Sequence, residues 1–254
     1  MISSRANARV KRWAKLMRDS ALRRDEKRAM VEGPHLVAEL LQAGREPLAM
    51  LVSESGLERR EIQKLIGKRE AVVLSDSVFK AVADADNPQG IAAEIEIAST
   101  KVANSKRCVF LEGVQDPSNV GAILRSAAAF GVGEAVLDRG CADAWSPKVL
   151  RAAMGGHFKL GLRQVADLRR ELKDFAGLLL CTVAADGLPL RQAPLEGRLG
   201  WIFGAEGQGV SAATAELAQV HVTIPMSPGS VSLNVAAAAA ICLYEAFNRR
   251  GAGA

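Results

Sequence analysis

The stretch Ile224-Pro225-Met226-Ser227-Pro228-Gly229-Ser230-Val231-Ser232-Leu233-Asn234-Val235, followed by five alanines, decides how the second half of this chain is read. A strand that runs into Pro225 stops there, because proline offers no N–H to a ladder. The Ser, Pro and Gly residues that follow predict a tight loop, and polar entry into an alanine-rich run predicts a helix over Val235 to Phe247. Such a loop turns backbone N–H and C=O groups, and the side chains of Ser232 and Asn234, toward one narrow space. That is the wall of a small-molecule pocket. Taken alone, Ser232 and Asn234 could equally well cap the last helix.

Working backwards from that loop, the chain alternates strands and helices from Cys108 onward. Val109-Phe110-Leu111 leads to a helix at Pro117–Phe130, and Ala135-Val136-Leu137 leads to one near Pro147–Ala153. Leu178–Val183 and Trp201-Ile202-Phe203 are nearly continuous apolar runs, as expected of parallel strands covered on both faces. Residues 108–254 therefore read as an α/β domain built on a parallel sheet. Ahead of it, helices at Pro34–Gly44, Leu57–Ile66 and Ser77–Ala83 interleave with strands at Leu48–Val52, Ala71–Leu74 and Ile91–Ile97, a second α/β unit over residues 1–98. The polar segment 99–107 is the expected linker.

The 254 residues are 49% hydrophobic, enough for real cores, but only 4% aromatic, so extended stacking platforms for bases are not expected. Charge is unevenly placed. Residues 1–30 hold ten Lys and Arg against three acidic residues, whereas the whole chain carries only +5. A basic arm on a near-neutral body points to a polyanion such as RNA. The competing reading is a docked amphipathic helix, since Val10, Trp13, Leu16 and Met17 recur at helical spacing.

Four widely spaced cysteines inside apolar segments, without a Cys-x-x-Cys pair, read as buried free thiols and favour a cytoplasmic location. The three histidines are isolated, so neither a metal site nor a Ser-His-Asp triad is supported. The most apolar helix is too short to span a bilayer and contains Glu245, so no membrane association is expected.

Two further strand-to-helix junctions carry polar chemistry. In Asp116-Pro117-Ser118-Asn119-Val120-Gly121, Asp116 is the expected N-cap and Pro117 the first helical residue, with Arg125 six residues beyond Asn119 and some 120° away around the axis. An arginine on a helix of small residues requires an anionic ligand or a carboxylate partner. In Gly204-Ala205-Glu206-Gly207-Gln208-Gly209 the glycines permit close backbone approach to a ligand, although their spacing is wrong for a dinucleotide fingerprint. Three such junctions at the carboxyl ends of strands in one parallel sheet converge where α/β folds bind ligands.

Asn119-x-Gly121-x-x-x-Arg125, Phe203-Gly204-x-Glu206-Gly207-x-Gly209 and Ile224-Pro225-Met226 with Ser232-Leu233-Asn234-Val235 resemble the three ordered motifs of the SpoU (TrmH) branch of SPOUT RNA methyltransferases. Glu32-Gly33-Pro34-His35-Leu36-Val37 and Asn87-Pro88-Gln89-Gly90 are similar to the family's N-terminal substrate-binding domain, which is like ribosomal L30e. The resemblance implies a C-terminal sheet with a deep trefoil knot, S-adenosyl-L-methionine as cofactor, a homodimer, and 2′-O-methylation of ribose in structured RNA. 23S ribosomal RNA is the expected substrate, with transfer RNA, or a catalytically silent RNA-binding role, as alternatives. It further implies cofactor contacts at Gly204, Gly209, Ile224, Met226 and Leu233, and a catalytic set of Asn119, Arg125, Glu206, Ser232 and Asn234. Guanidinium stays protonated at any working pH, so Arg125 is expected to position the hydroxyl and stabilise the forming alkoxide, with the role of base as the competing reading. Val231, Ala236 and Ala153 depart from the usual family residues and bear on the choice of target.

Overall fold

The computed structural model describes residues 1–97, 105–230 and 232–249. In chain order the elements are α1 (Ala8–Arg18), α2 (Ser20–Glu26), β1 (Arg28–Glu32), α3 (Pro34–Gln42), β2 (Ala49–Ser53), α4 (Glu54–Leu57), α5 (Arg60–Ile66), β3 (Ala71–Leu74), α6 (Asp76–Val82) and β4 (Ile91–Glu96). There follow β5 (Arg107–Glu112), α7 (Pro117–Ala129), β6 (Glu134–Leu137), α8 (Pro147–Ala153), β7 (Gly161–Gln164), α9 (Leu168–Lys173) and β8 (Leu178–Thr182). The chain closes with β9 (Leu188–Pro189), β10 (Leu199–Gly204), α10 (Ala212–Ala215), β11 (Val220–Thr223) and α11 (Val235–Asn248).

Contacts divide the chain into two compact units, the first comprising residues 1–98 and 145–158 and the second residues 99–144 and 159–254. Most of the expected linker, together with Val231, lies outside the described residues, and Arg107 already belongs to β5.

The first unit is built on a four-stranded sheet of order β1-β4-β2-β3, with β4 antiparallel to both of its neighbours and β3 parallel to β2. The N-terminal arm is a docked helix. Val10, Trp13, Leu16 and Met17 on α1 are all buried against a core that includes Met30, Leu51 and Phe79. Burying side chains of that size contributes about 1.5–3 kcal/mol each, far more than their exposed neighbours gain by staying wet. Several of the arm's cations are spent on this docking. Arg12 pairs with Glu26 and Glu94, Arg18 donates to the carbonyls of Ala14 and Ala81, and Arg23 is buried against those of Leu16 and Met17. Burial alone would raise the Glu94 carboxyl, but hydrogen bonds from Arg12 and the Trp13 indole reverse this and hold it below its ordinary value. Arg9, Lys11, Arg24 and Lys27 remain exposed.

Two expectations for this unit change. The single helix near Leu57–Ile66 is divided into α4 and α5, with Ser53 capping α4 through the Gly56 N–H at 3.0 Å. Gly56 lies so close to Gly90 that a Cβ there would fall 2.4 Å from the Gly90 carbonyl oxygen, which pins this turn to the start of β4. The strand β1 was not foreseen, because its ends are charged and it follows directly on the basic helices.

The second unit is a seven-stranded, all-parallel sheet of order β7-β6-β5-β10-β8-β11-β9. β5 and β10 are buried along almost their whole length, as their apolar runs require. This topology is consistent with the trefoil-knot fold. All four cysteines are free and buried.

Candidate active site

α7 starts as its sequence dictates, with the Asp116 carboxylate accepting from the Ser118 N–H at 2.7 Å and Pro117 in the first turn. That entry places Asn119 at the carboxyl ends of β5 and β10. α11 starts in the same manner. Asn234 Oδ1 accepts from the N–H groups of Ala236 (2.9 Å) and Ala237 (3.2 Å), so the helix-capping reading of Asn234 holds. The cap leaves its side-chain nitrogen free to join a second set of hydrogen bonds. Asn234 Nδ2 donates to Asn119 Oδ1 at 2.9 Å, and Asn119 Nδ2 donates to Glu206 Oε1.

The loop after β10 closes on itself. Gly209 N–H donates to the Ala205 carbonyl at 2.8 Å, and a Cβ on Gly204 would lie 2.1 Å from the carbonyl carbon of Gly209. Only glycine fits there. Gly207 and Gly209 adopt φ of 82° and 69°, with open space where a side chain would stand. The far end of the loop is tied down by Glu112, which ends β5 and accepts from the Ser211 N–H at 2.7 Å and from the Ser211 and Thr214 hydroxyls.

These loops enclose a cavity of about 570 Å³. It is lined by Gly204, Glu206 and Gly209 from the loop after β10, and by Ile224, Met226, Ser232, Leu233 and Asn234 from the segment between β11 and α11. Every cofactor contact expected from the sequence therefore lines one space, and Asn119 joins it through hydrogen bonds. Arg125 does not. It is exposed on α7, outside the cavity lining, and makes no hydrogen bond or ion pair among the described residues. Burial imposes no cost on it and a carboxylate partner is not needed, contrary to the expectation from the small residues around it.

A fourth segment was missed. Thr182, Val183 and Ala184, at the carboxyl end of β8, also line the cavity, with the Thr182 hydroxyl donating to the Ile202 carbonyl and the Thr223 hydroxyl to the Val183 carbonyl. Their signal was available, since they stand at the end of a recognised parallel strand, but the segment holds no conspicuous polar motif. Cys181 lies in the same wall, and burial pushes its thiol up to about 11, so it is a neutral packing group.

Residues 106–244 match the SpoU rRNA Methylase family, more than half of the chain, and residues 7–93 match the MRM3-like substrate binding domain. The chain belongs to the SpoU family. It is 34% identical to the 23S rRNA (guanosine(2553)-2′-O)-methyltransferase RlmP of Bacillus subtilis, over 96% of this chain and 98% of that protein. It is 30% identical to the 23S rRNA (guanosine-2′-O-)-methyltransferase RlmB of Shewanella oneidensis, over 89% of this chain and 99% of that one. Among solved structures, an RNA 2′-O ribose methyltransferase superposes with a TM-score of 0.81 at 32% identity, covering 98% of both chains. An AdoMet-bound rRNA methyltransferase from Sinorhizobium meliloti superposes with a TM-score of 0.83 at 25% identity, covering 98% of this chain and 97% of that one.

The cavity suits the SpoU cofactor. Its volume is within the ordinary range of about 300–1,000 Å³ for small-molecule sites, and its glycine wall leaves backbone groups bare for a ligand to approach. Apolar Val183, Ile224 and Leu233 can cover an aromatic ring, while Glu206, Ser232 and Asn234 supply polar atoms beside it.

Proposed function

We propose that this SpoU protein methylates a ribose 2′-hydroxyl of structured RNA using S-adenosyl-L-methionine, with 23S ribosomal RNA as substrate. The observation that carries the reading is the Asn234–Asn119–Glu206 hydrogen-bond chain, drawn from three separate strand-to-helix junctions onto the rim of one glycine-walled cavity. When bound, the cofactor supplies an electrophilic methyl group. The chain's own task is then to align the 2′-oxygen on that methyl and to stabilise the negative charge growing on it, while the hydroxyl proton leaves to an RNA phosphate, water or another acceptor, and no metal is required for it.

Backbone groups at Gly204, Ile224 and Leu233 hold the cofactor, with Gly209 and Met226 completing the walls. Ser232, Asn234, Asn119 and Glu206 shape the acceptor side. Arg125 positions the hydroxyl and stabilises the alkoxide. Because it stands outside its own chain's cavity, it acts from a second copy of the chain or through the bound RNA. Exposed Ile241, Tyr244 and Phe247 on α11, with Phe130 packed edge-on to Tyr244 at 5.7 Å, form an apolar face that supports a homodimer.

The similarity to 23S rRNA methyltransferases along nearly the whole chain favours ribosomal RNA over transfer RNA. A cytoplasmic location follows from that substrate and accords with four free cysteines. Among the described residues, no helix is long and apolar enough to cross a membrane.

The test is transfer of labelled methyl groups to unmodified 23S rRNA and to bulk tRNA, with the product nucleotide mapped. Label in a 23S ribose 2′-oxygen is expected. Label confined to tRNA overturns the substrate, and cofactor binding without transfer to either RNA leaves a silent RNA-binding relative.

A further inference from the structure

Glu112 joins two of the three junctions that form the site. It ends β5 directly beside Gly204, the last residue of β10, and the chain that leaves it leads through Gly113 to Asp116 and the start of α7, where Asn119 stands. Its carboxylate is taken up by the segment after β10. Oε2 accepts from the Ser211 N–H at 2.7 Å, and Oε1 accepts from the hydroxyls of Ser211 at 2.8 Å and Thr214 at 2.5 Å.

Both ends of this tie are fixed. Thr214 is fully buried, so its hydroxyl needs the partner that Glu112 supplies. Ser211 stands at the N-cap of α10 yet makes no side-chain bond to that helix. It forgoes the local cap that a serine ordinarily makes there, and gives its hydroxyl to a strand 99 residues away in sequence. On the strand side, Gly113 donates its N–H to Asp138 Oδ1 at 3.0 Å, and the Val114 carbonyl accepts from the Ala142 N–H at 2.9 Å. The post that carries Ser211 is thus the one from which α7 and Asn119 start. Glu206 lies on the loop between Gly204, held in β10, and Ser211, held by Glu112.

We propose that Glu112 is a positioning residue for methyl transfer: by holding Ser211 and Thr214 it places Glu206 against Asn119, so that the glycine loop of the cofactor cavity and the acceptor-side amides keep one fixed spacing. The inference rests on the RNA-methyltransferase reading and adds to it a residue outside the cavity lining. What Glu112 supplies is reach, with acceptor atoms at the end of it; its charge does not enter the reaction. Displacing a positioned group by about 1 Å costs on the order of a hundredfold in rate, so a tie of this kind is felt in turnover.

The test compares E112A, E112Q and E112D in the full-length protein, by single-turnover methyl transfer to unmodified 23S rRNA and to bulk tRNA at saturating cofactor. E112A is expected to lose about a hundredfold. E112Q is expected to stay within about fivefold of the wild type, because its oxygen still accepts from the Ser211 N–H and its nitrogen donates to hydroxyls that rotate to accept. E112D keeps the charge but falls a methylene short, and is expected to fail with E112A. E112A/E206A is expected to lie within about twofold of E206A alone, since the group that Glu112 places is already gone; a residue that only supported the fold would multiply its loss onto E206A. S211A/T214V cuts the same tie from its other end and takes the place of E112A should that variant fold poorly. Wild-type transfer in E112A, multiplied losses in E112A/E206A, or an active E112D beside an inactive E112Q overturns the proposal. A wild type that binds S-adenosylhomocysteine yet methylates neither RNA overturns the functional reading instead. Hydrogen exchange at the Gly209 N–H then carries the test, expected to be about tenfold faster in E112A and unchanged in E112Q, with equal rates in all variants overturning the proposal.

Discussion

Asn234 Nδ2 donates to Asn119 Oδ1 across 2.9 Å, and that one bond fixes the orientation of both amides. Asn234 Oδ1 is occupied by two helix N–H groups, so only its nitrogen is left to donate. Asn119 must then accept with its oxygen and donate with its nitrogen, and Glu206, a carboxylate, can only accept. The polarity of the chain runs from the start of α11 to the rim of the cavity. N234A removes both the cap and the relay. A loss of about 1 kcal/mol in stability is expected from the cap, seen as a lower thermal midpoint, together with a fall of about a hundredfold in single-turnover methyl transfer. N119D, which turns a donor toward Glu206 into a second carboxylate, is expected to lower transfer with little change in stability.

Arg125 lies outside the cavity lining, so R125A is expected to leave S-adenosylhomocysteine affinity within about twofold while methyl transfer falls about a hundredfold. The pH–rate profile separates its two roles. A permanently charged positioner contributes no ionisation to the single-turnover rate. If an ionisation present in the wild type disappears in R125A while cofactor affinity holds, the guanidinium is the base.

G204A tests the closed loop. Its Cβ would fall 2.1 Å from backbone that cannot swing aside, so the 205–209 loop must open. A destabilisation of about 1–3 kcal/mol and loss of most S-adenosylhomocysteine binding are expected by calorimetry. Q208A, at an exposed position in the same loop, is the matched control for stability.

The buried thiols tie stability to alkaline pH. Burial raises Cys108 and Cys181 to about 11 and Cys242 to about 12, above the ordinary cysteine value. The unfolded chain therefore releases these protons first as pH rises. Their contribution is complete below about pH 8.5 and is lost as the pH climbs through 11 to 12. The thermal midpoint is expected to fall above pH 9, with a shallower fall in C181A. At pH 8, iodoacetamide is expected to modify these thiols only in denaturant.

The apolar face on α11 bears on assembly. Y244E/F247E places two charges on the surface formed by Ile241, Tyr244, Phe247 and Phe130. A dimeric wild type and a monomeric, folded variant are expected by light scattering. If Arg125 acts on a second copy's cavity, the monomer retains S-adenosylhomocysteine binding but loses methyl transfer.

The α/β alternation, the parallel sheet and most of the cavity walls were legible from residues alone, because glycine, proline and capping side chains constrain the backbone locally. Gly204, Pro117 and Asn234 each impose their conformation on immediate neighbours. The Thr182–Ala184 wall was missed although it ends a recognised parallel strand, because no polar motif within that segment marks it as facing a ligand; its place in the wall comes from β8 lying beside β10. The N-terminal arm shows the same limit. Its charge suggested a polyanion contact, yet Arg12 is consumed by Glu94, which arrives from outside any local window, and Arg23 turns back onto the carbonyls of Leu16 and Met17 at the end of α1.

By itself the sequence determined the elements, the family motifs and the set of side chains that gather at the carboxyl ends of the strands. Only the tertiary structure decided that Asn119 and Arg125, six residues apart on one helix, part company, the first joining Asn234 and Glu206 and the second facing solvent. The physical reason is geometric. Helical spacing determines the angle between two side chains, whereas what each one meets depends on where the helix rolls against its neighbours, and that is settled by packing among residues far apart in the chain.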